Sequence, residues 1–346
     1  MNLELGIDHF GDVTHDAAGQ PLSHAQVVRN VVEEGVLADA VGVDFIGMGE
    51  HHRDDFAVSS PEMVLAAIAA RTNRIRLGSA VTVLSSDDPV RVYESYATLD
   101  ALSSGRAEVI LGRGSFTESF PLFGYELGDY EALFEEKLAL FATLRRDLAA
   151  GRPVSWQGTH AQSLTDVTLY PPVEHGALPA WVAVGGSPQS VIRAAHHGLP
   201  LMLAIIGGPV ERFAPFADLY RRAVDEFGVT TEMPVAVHSP GHVAETDELA
   251  AEQLFPHFKA QRDRIGRERG WGAMGSDEFT HEIEHGALYV GSPETVAAKI
   301  AATVRELKVD QFDLKYANGP MPHSQLMKSI ELYATRVVPL VREMLA

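Results

Sequence analysis

The chain has 346 residues, 46% of them hydrophobic and 22% charged, which supplies a large core and excludes a disordered or collagen-like polymer. Lys and Arg number 28 against 47 Asp and Glu, a net charge of −19, so nucleic acid and membrane surfaces are not expected partners. There is no cysteine, which excludes disulfide scaffolds, thiol nucleophiles and Cys-ligated metal or iron–sulfur sites.

The first ten residues, MNLELGIDHF, carry neither a basic stretch nor the long apolar run of a secretory signal. No segment approaches the ~18 apolar residues of a membrane span. A cytoplasmic protein is expected.

Short β-like runs recur along the chain: Leu3–Asp8, Val43–Met48, Ile75–Val83, Ala107–Leu111, Ala180–Val184, Leu201–Ile206, Val235–His238 and Gln311–Tyr316. Helical patterns separate them. Val28, Val31, Val32, Val36 and Ala40 form one apolar face after the first run. Phe134, Leu138, Phe141, Leu144 and Leu148 form another after the fourth, and Leu326, Ile330, Tyr333, Val337 and Leu340 a third near the end. Strands alternating with helices imply parallel pairing, and the near-continuous apolar runs suit strands covered on both faces. Eight such units predict an α/β fold, a closed (β/α)8 TIM barrel, with an open doubly wound sheet as the alternative.

One barrel domain over 1–346 is expected, with insertions at about 151–179 and 243–289, after strands four and seven. Both are read as insertions in strand-to-helix loops. The first shows hairpin-like alternation at Ser163, Thr165, Val167 and Leu169. After the second, Ser292 as N-cap and Pro293 at the first helical position start a helix over Pro293–Leu307.

A barrel builds its site from the loops at the C-terminal ends of its strands. The first run ends in Asp8-His9-Phe10, the second in Glu50-His51-His52-Arg53-Asp54, and the fourth in Gly112-Arg113-Gly114-Ser115. The fifth ends in Gly185-Gly186-Ser187, and the seventh contains His238. Ser187 suits an N-cap and Pro188 the first turn, so the turn through Ser190 offers free N–H groups to a phosphate, or is an ordinary strand-to-helix turn. Arg113, between two glycines, suits an anion or is a surface Arg. Thr117 stands where a dinucleotide fingerprint needs its third glycine. His51 and His52 are adjacent and point opposite ways on a strand, so one of them faces the mouth as an acid, base or hydrogen-bond donor. His281-Glu282-Ile283-Glu284-His285 satisfies the zinc-hydrolase pattern H-E-x-x-H. Its polar surroundings, with Ser276 as a cap and Gly286 as a stop, read instead as a solvated lid helix, and no metal site is expected.

These stretches together resemble the bacterial luciferase-like flavin-dependent monooxygenases. The pieces are Glu50-His51-His52, LGSAVTVLSSDDPVRVYESYATLDALSSGRAEVILGRG over Leu77–Gly114, FPLFG over Phe120–Gly124, VGGSPQSVIRAA over Val184–Ala195 and VGSPETVAAKI over Val290–Ile300. The resemblance implies a (β/α)8 barrel binding FMN at its mouth and dimers packed through helices on one side. Arg113 and the turn Gly185, Gly186, Ser187 and Ser190 would take the phosphate. His51 would be the catalytic group beside the isoalloxazine. Ala80 and Val81 would carry a cis peptide against the ring. Gly112 replaces the Cys of the luciferases, leaving room beside the flavin. Phe10 and His238 would line the substrate pocket.

The implied activity is oxygenation of a small organic substrate by reduced FMN and oxygen, with reduced flavin delivered by a separate NAD(P)H:flavin reductase. The alternatives are F420-dependent hydride transfer, a non-catalytic flavin-binding protein, and a zinc hydrolase through His281 and His285. A mobile lid is expected between Trp271 and His285.

Overall fold

Eight parallel strands pair in a closed ring in the computed structural model, which describes residues 3–16 and 18–346. In chain order they are Glu4–His9, Phe45–Met48, Arg76–Ser79, Ala107–Gly112, Ala180–Val184, Leu201–Ala204, Val235–Val243 and Gln311–Lys315. Each pairs with the next, and the eighth returns to the first with Gln311 beside Glu4. The open-sheet alternative is therefore excluded, and each expected run overlaps one barrel strand.

Two runs differ from the expectation. The third strand stops at Ser79; the Ala80–Val81 peptide is cis, and Thr82–Val83 resumes beside Leu111 and Gly112. The seventh continues to Val243 because its second half pairs with the short strand Tyr289–Gly291.

Packing explains the order of the layers. Phe45, Ile110, Trp181, Met202 and Ala236 fill the barrel interior. A β-carbon at Gly78 would lie 2.6 Å from the Phe45 ring, so glycine is what lets that ring sit against the neighbouring strand. Toward the start of the strands, Arg76 meets Glu108 at 3.2 Å, and the Trp181 indole donates to Glu108 at 3.3 Å. The interior is thus plugged below, and the open space lies at the other end. The larger core lies between the sheet and the outer helices. Those helices start where side chains satisfy their free N–H groups. Asp88 accepts from Val90 and Arg91, Thr246 from Leu249, and Ser292 from Thr295 at the head of Pro293–Leu307, as the sequence predicts.

The first insertion is an antiparallel hairpin, Val154–Trp156 with Leu164–Val167. It follows the helix Tyr130–Ala149 and is not in the strand-to-helix loop, so it leaves from the bottom of the barrel. It then climbs beside that helix. The amides of Thr159, His160 and Ala161 donate to Glu136, and Gln162 donates to Asp88, both near the mouth end of their helices.

The second insertion begins with the helix Asp247–Arg269, which crosses the mouth loops. Gln261 bonds Asp12, Arg264 bonds Asp54, Glu268 pairs with Arg53 at 2.7 Å, and Arg269 donates to the Ser115 carbonyl at 2.8 Å. A second helix, Ser276–Glu284, follows. Ser276 is its first residue and Gly275 its cap, correcting the expected capping by Ser276. Phe279 packs on Phe255 with ring centroids 5.0 Å apart. Among the described residues, no helix is long and apolar enough to cross a membrane.

Candidate active site at the barrel mouth

A cavity of about 340 Å³ opens at the C-terminal ends of the strands. His51, Ala80, Val81, Gly112, Arg113, Gly185, Phe10 and His238 all line it. Gly186, Ser187 and Ser190 continue from Gly185 at its edge, so the residues singled out in the sequence meet at one end of the barrel. A larger cleft of about 970 Å³ lies outside the barrel, between the helices Ser276–Glu284 and Pro293–Leu307; it is lined by His285 of the H-E-x-x-H stretch and by none of the residues at the mouth.

His51 sits in an aromatic cage. Its ring stacks on Phe56 at 4.1 Å, lies 5.2 Å from Phe10 and meets the edge of Phe116 at 5.3 Å. Burial holds its pKa down to about 3, although Asp12 opposes the shift, so the imidazole is uncharged at neutral pH. Its buried Nδ1 has no partner. His52 turns the other way, bonding Glu50 at 3.0 Å and meeting the edge of Phe123. Both histidines lie beyond the end of the strand Phe45–Met48, so the loop and not strand alternation turns His51 to the mouth. The other Glu50 oxygen accepts from the Val83 amide at 2.8 Å, tying the segment after Val81 to the end of the second strand.

Gly112 does not leave the free space expected of it. A β-carbon there would lie 2.5 Å from Val81 Cγ2, so the Val81 side chain already occupies that volume.

At the edge of the cavity, Ser187 caps the helix Pro188–His196 by accepting from the Ser190 amide. Gly186 has φ of +109°, a conformation that favours glycine, and the space around a β-carbon on Gly185 is open. Arg113, on the neighbouring strand's loop, pairs with Glu131 and lies 5.5 Å above the Tyr130 ring. Arg193 joins them, 3.4 Å from both Ser190 Oγ and Glu131, and also pairs with Glu135. Two guanidinium groups therefore share one carboxylate beside a helix N-terminus. Sequence reading missed Arg193, although its place one turn after Ser190 put it on the same helix face.

Within the seventh strand, His238 Nδ1 lies 2.5 Å from Asp8 Oδ2. Phe10 stacks on His238 at 5.5 Å with the planes 9° apart. Asp313 is buried next along the eighth strand, its carboxylate held by Gln311 at 3.0 and 3.1 Å. Burial, reinforced by Asp8, pushes its pKa well above the usual carboxylate range.

The remaining sequence candidates lie elsewhere. The His281 and His285 rings are 5.0 Å apart, but Glu282 between them accepts from the amides of Gly208 and Ala287. Among the described residues, no group of three or more His, Asp or Glu is placed to share a metal ion.

Comparison with known proteins places this geometry in a family. Residues 9–311 match the family described as luciferase-like monooxygenase. The alkanal monooxygenase alpha chain of Photorhabdus luminescens is 27% identical over 220 residues, covering 63% of this chain and 59% of that protein. Among solved structures, a monooxygenase from Streptomyces bottropensis superposes with a TM-score of 0.81 at 24% identity, covering 97% of this chain and 99% of that one. The oxygenating constituent of 3,6-diketocamphane monooxygenase from Pseudomonas putida, in complex with FMN, gives 0.76 at 19%, covering 98% and 99%. A coenzyme F420-dependent tetrahydromethanopterin reductase from Methanopyrus kandleri gives 0.70 at 17%, covering 98% and 99%. At these identities the structures share the fold.

Proposed function

Because the chain belongs to the luciferase-like monooxygenase family, we propose that it uses reduced FMN and oxygen to oxygenate a small organic substrate. One observation carries the reading. Arg113, Arg193 and the N-terminus of Pro188–His196 converge at the edge of the cavity that holds His51, Ala80 and Val81.

The residues present fit such a cofactor. Free helix N–H groups, an unobstructed Gly185 and two guanidinium groups suit one compact phosphate. Arg113, Gly186, Ser187, Ser190 and Arg193 would hold it, with Ala80, Val81 and Gly112 against the ring system. Reduced FMN, when bound, supplies the electrons that activate oxygen.

The chain's own side chains do the rest. Phe10, Phe116, Met202 and Ile206 give the cavity apolar walls that exclude water. His51, uncharged, offers one ring N–H and one lone pair, and would relay a proton there by giving up its N–H as the lone pair takes one, with no net charge added.

The reading brings with it a separate NAD(P)H:flavin reductase, a cytoplasmic location and a homodimer. The test is a visible spectrum of the full chain mixed in turn with FMN, reduced FMN and F420. Perturbation by reduced FMN, with oxygen uptake that depends on an added substrate, is expected. A response to F420 alone would overturn the proposal.

A further inference from the structure

Asp8 and His238 make a polar station that the flavin reading does not use. Their side chains are 1% and 8% exposed and meet at 2.5 Å, Asp8 Oδ2 against His238 Nδ1. A carboxylate on Nδ1 fixes the ring hydrogen there and leaves a lone pair on Nε2. That Nε2 is buried without a partner, as is Asp8 Oδ1. A folded chain keeps such orphaned atoms where a ligand completes them. Both residues line the mouth cavity, beside the apolar side chains of Phe10, Met202 and Ile206. Phe10 touches the rings of both His238 and His51, so the two imidazoles are separate stations in one space.

Because the free nitrogen is an acceptor, the group that meets it must be a donor. We propose that the substrate is a phenol-like compound, a hydroxyl on an apolar ring, and that His238, held by Asp8, accepts the hydroxyl proton. The substrate O–H bond breaks, an N–H bond forms at Nε2, and the electron pair stays on the substrate oxygen. Asp8 faces the resulting imidazolium. The ring carbons next to the oxyanion become electron-rich, which suits them to accept an electrophilic oxygen. Burial and the neighbouring Asp8 raise the Asp313 pKa, which opposes a second negative charge beside Asp8. The oxygenation itself rests on the flavin reading; the hydroxyl station does not.

The test compares binding of 4-nitrophenol with that of its methyl ether, 4-nitroanisole, to the full chain by calorimetry. The ether has nearly the same body and lacks the donor. Wild type should prefer the phenol by about tenfold or more. His238→Phe should lose the preference, and Asp8→Asn, nearly isosteric, should reduce it. At one pH below the probe's own ionisation, the bound phenol should show a phenolate absorption band that Asp8→Asn abolishes. Equal affinities in wild type, or the same preference and band in all three proteins, would overturn the proposal. Reduced-FMN binding on the same samples separates the two readings. A chain that discriminates but takes no reduced FMN refutes the flavin reading alone, and the reverse refutes this one alone.

Discussion

Val81 fills the volume that a β-carbon on Gly112 would need, with its Cγ2 2.5 Å from that position. The two residues come from the third and fourth strand ends and together shape one wall of the mouth cavity. Overpacking of this kind costs ~1–3 kcal/mol. Gly112→Cys should therefore lower the melting temperature and weaken reduced-FMN binding. Val81→Ala, which removes both clashing methyl groups, should recover much of each loss in the double variant. Strictly additive losses in thermal melts and flavin titrations would show that the two side chains do not compete for one space.

Glu131 occupies both arginines of the proposed phosphate site, pairing with Arg113 and lying 3.4 Å from Arg193. A charge-assisted phosphate contact is worth ~1.5–3 kcal/mol. Arg113→Ala should weaken reduced-FMN affinity by roughly tenfold to a hundredfold. Glu131→Gln should act the other way, because the guanidinium groups no longer exchange a carboxylate for the phosphate. Flavin titrations decide both; weaker binding in Glu131→Gln would mean the carboxylate positions the arginines and does not compete.

What was legible in the sequence follows from distance along the chain. The eight strands, the caps at Ser187 and Ser292 and the glycines at strand ends lie at fixed local offsets, which periodicity and turn chemistry register. The aromatic cage of His51 was not legible, because Phe10 and Phe116 come from the loops of other strands, which only the folded sheet brings beside it. The same holds for Asp8 and His238, 230 residues apart. The hairpin was read as such but placed on the wrong side of its helix, since alternation identifies a strand pair without saying where it leaves the barrel.

His51 should leave a mark on acid stability. Its folded pKa of about 3 lies below the unfolded value of 6.5. Above pH 6.5 both states carry the neutral ring, and the shift contributes no pH dependence. Below it, the unfolded chain binds a proton that the folded chain refuses. Stability should therefore fall as pH drops from about 6.5 toward 3, by up to ~1.4 kcal/mol per pH unit. His51→Asn should make the slope shallower. His9 and His242, also lowered by burial, keep part of it. Urea midpoints between about pH 4.5 and 7.5 measure it, and identical slopes in the two proteins would contradict the burial of His51.

Turnover should respond to His51 separately. His51→Ala should retain reduced-FMN binding and lower turnover by roughly 10²–10⁴, the range for a general acid or base. Because the ring is already neutral, the wild-type activity profile above pH 5 should show no ionisation belonging to it. The same loss in His52→Ala, with His51→Ala active, would mean that the imidazole bonded to Glu50 carries the chemistry.

The mobile segment expected after the seventh strand is anchored at named points. Met274 and Phe279 are buried, and Glu282 ties the helix Ser276–Glu284 to Gly208. The short stretch after Arg269 is tied to the helix before it, Arg262 donating to the Gly272 carbonyl, Lys259 to the Met274 carbonyl and the Met274 amide to Asp263. Its near end is held by Arg53, which bonds Asp55, Glu118 and Glu268 and lies 4.6 Å over Phe116, a wall of the cavity. Arg269 stacks over the same Phe116 and over Trp271, each at 5.4 Å. Motion of this stretch is thus linked to the cage around His51. Glu268 is 45% exposed and the buried Arg53 keeps Asp55 and Glu118 as partners, so Glu268→Ala should cost little global stability while releasing one of the holds on the end of the helix. Limited proteolysis should then cut faster between 270 and 275, with 276–284 protected, and reduced FMN with substrate should slow the cut. High salt should reproduce part of the effect in the wild-type chain by screening the pair. Equal cleavage rates in the two proteins, or cleavage spread through the helix Ser276–Glu284, would show that Arg53 does not latch this edge of the mouth.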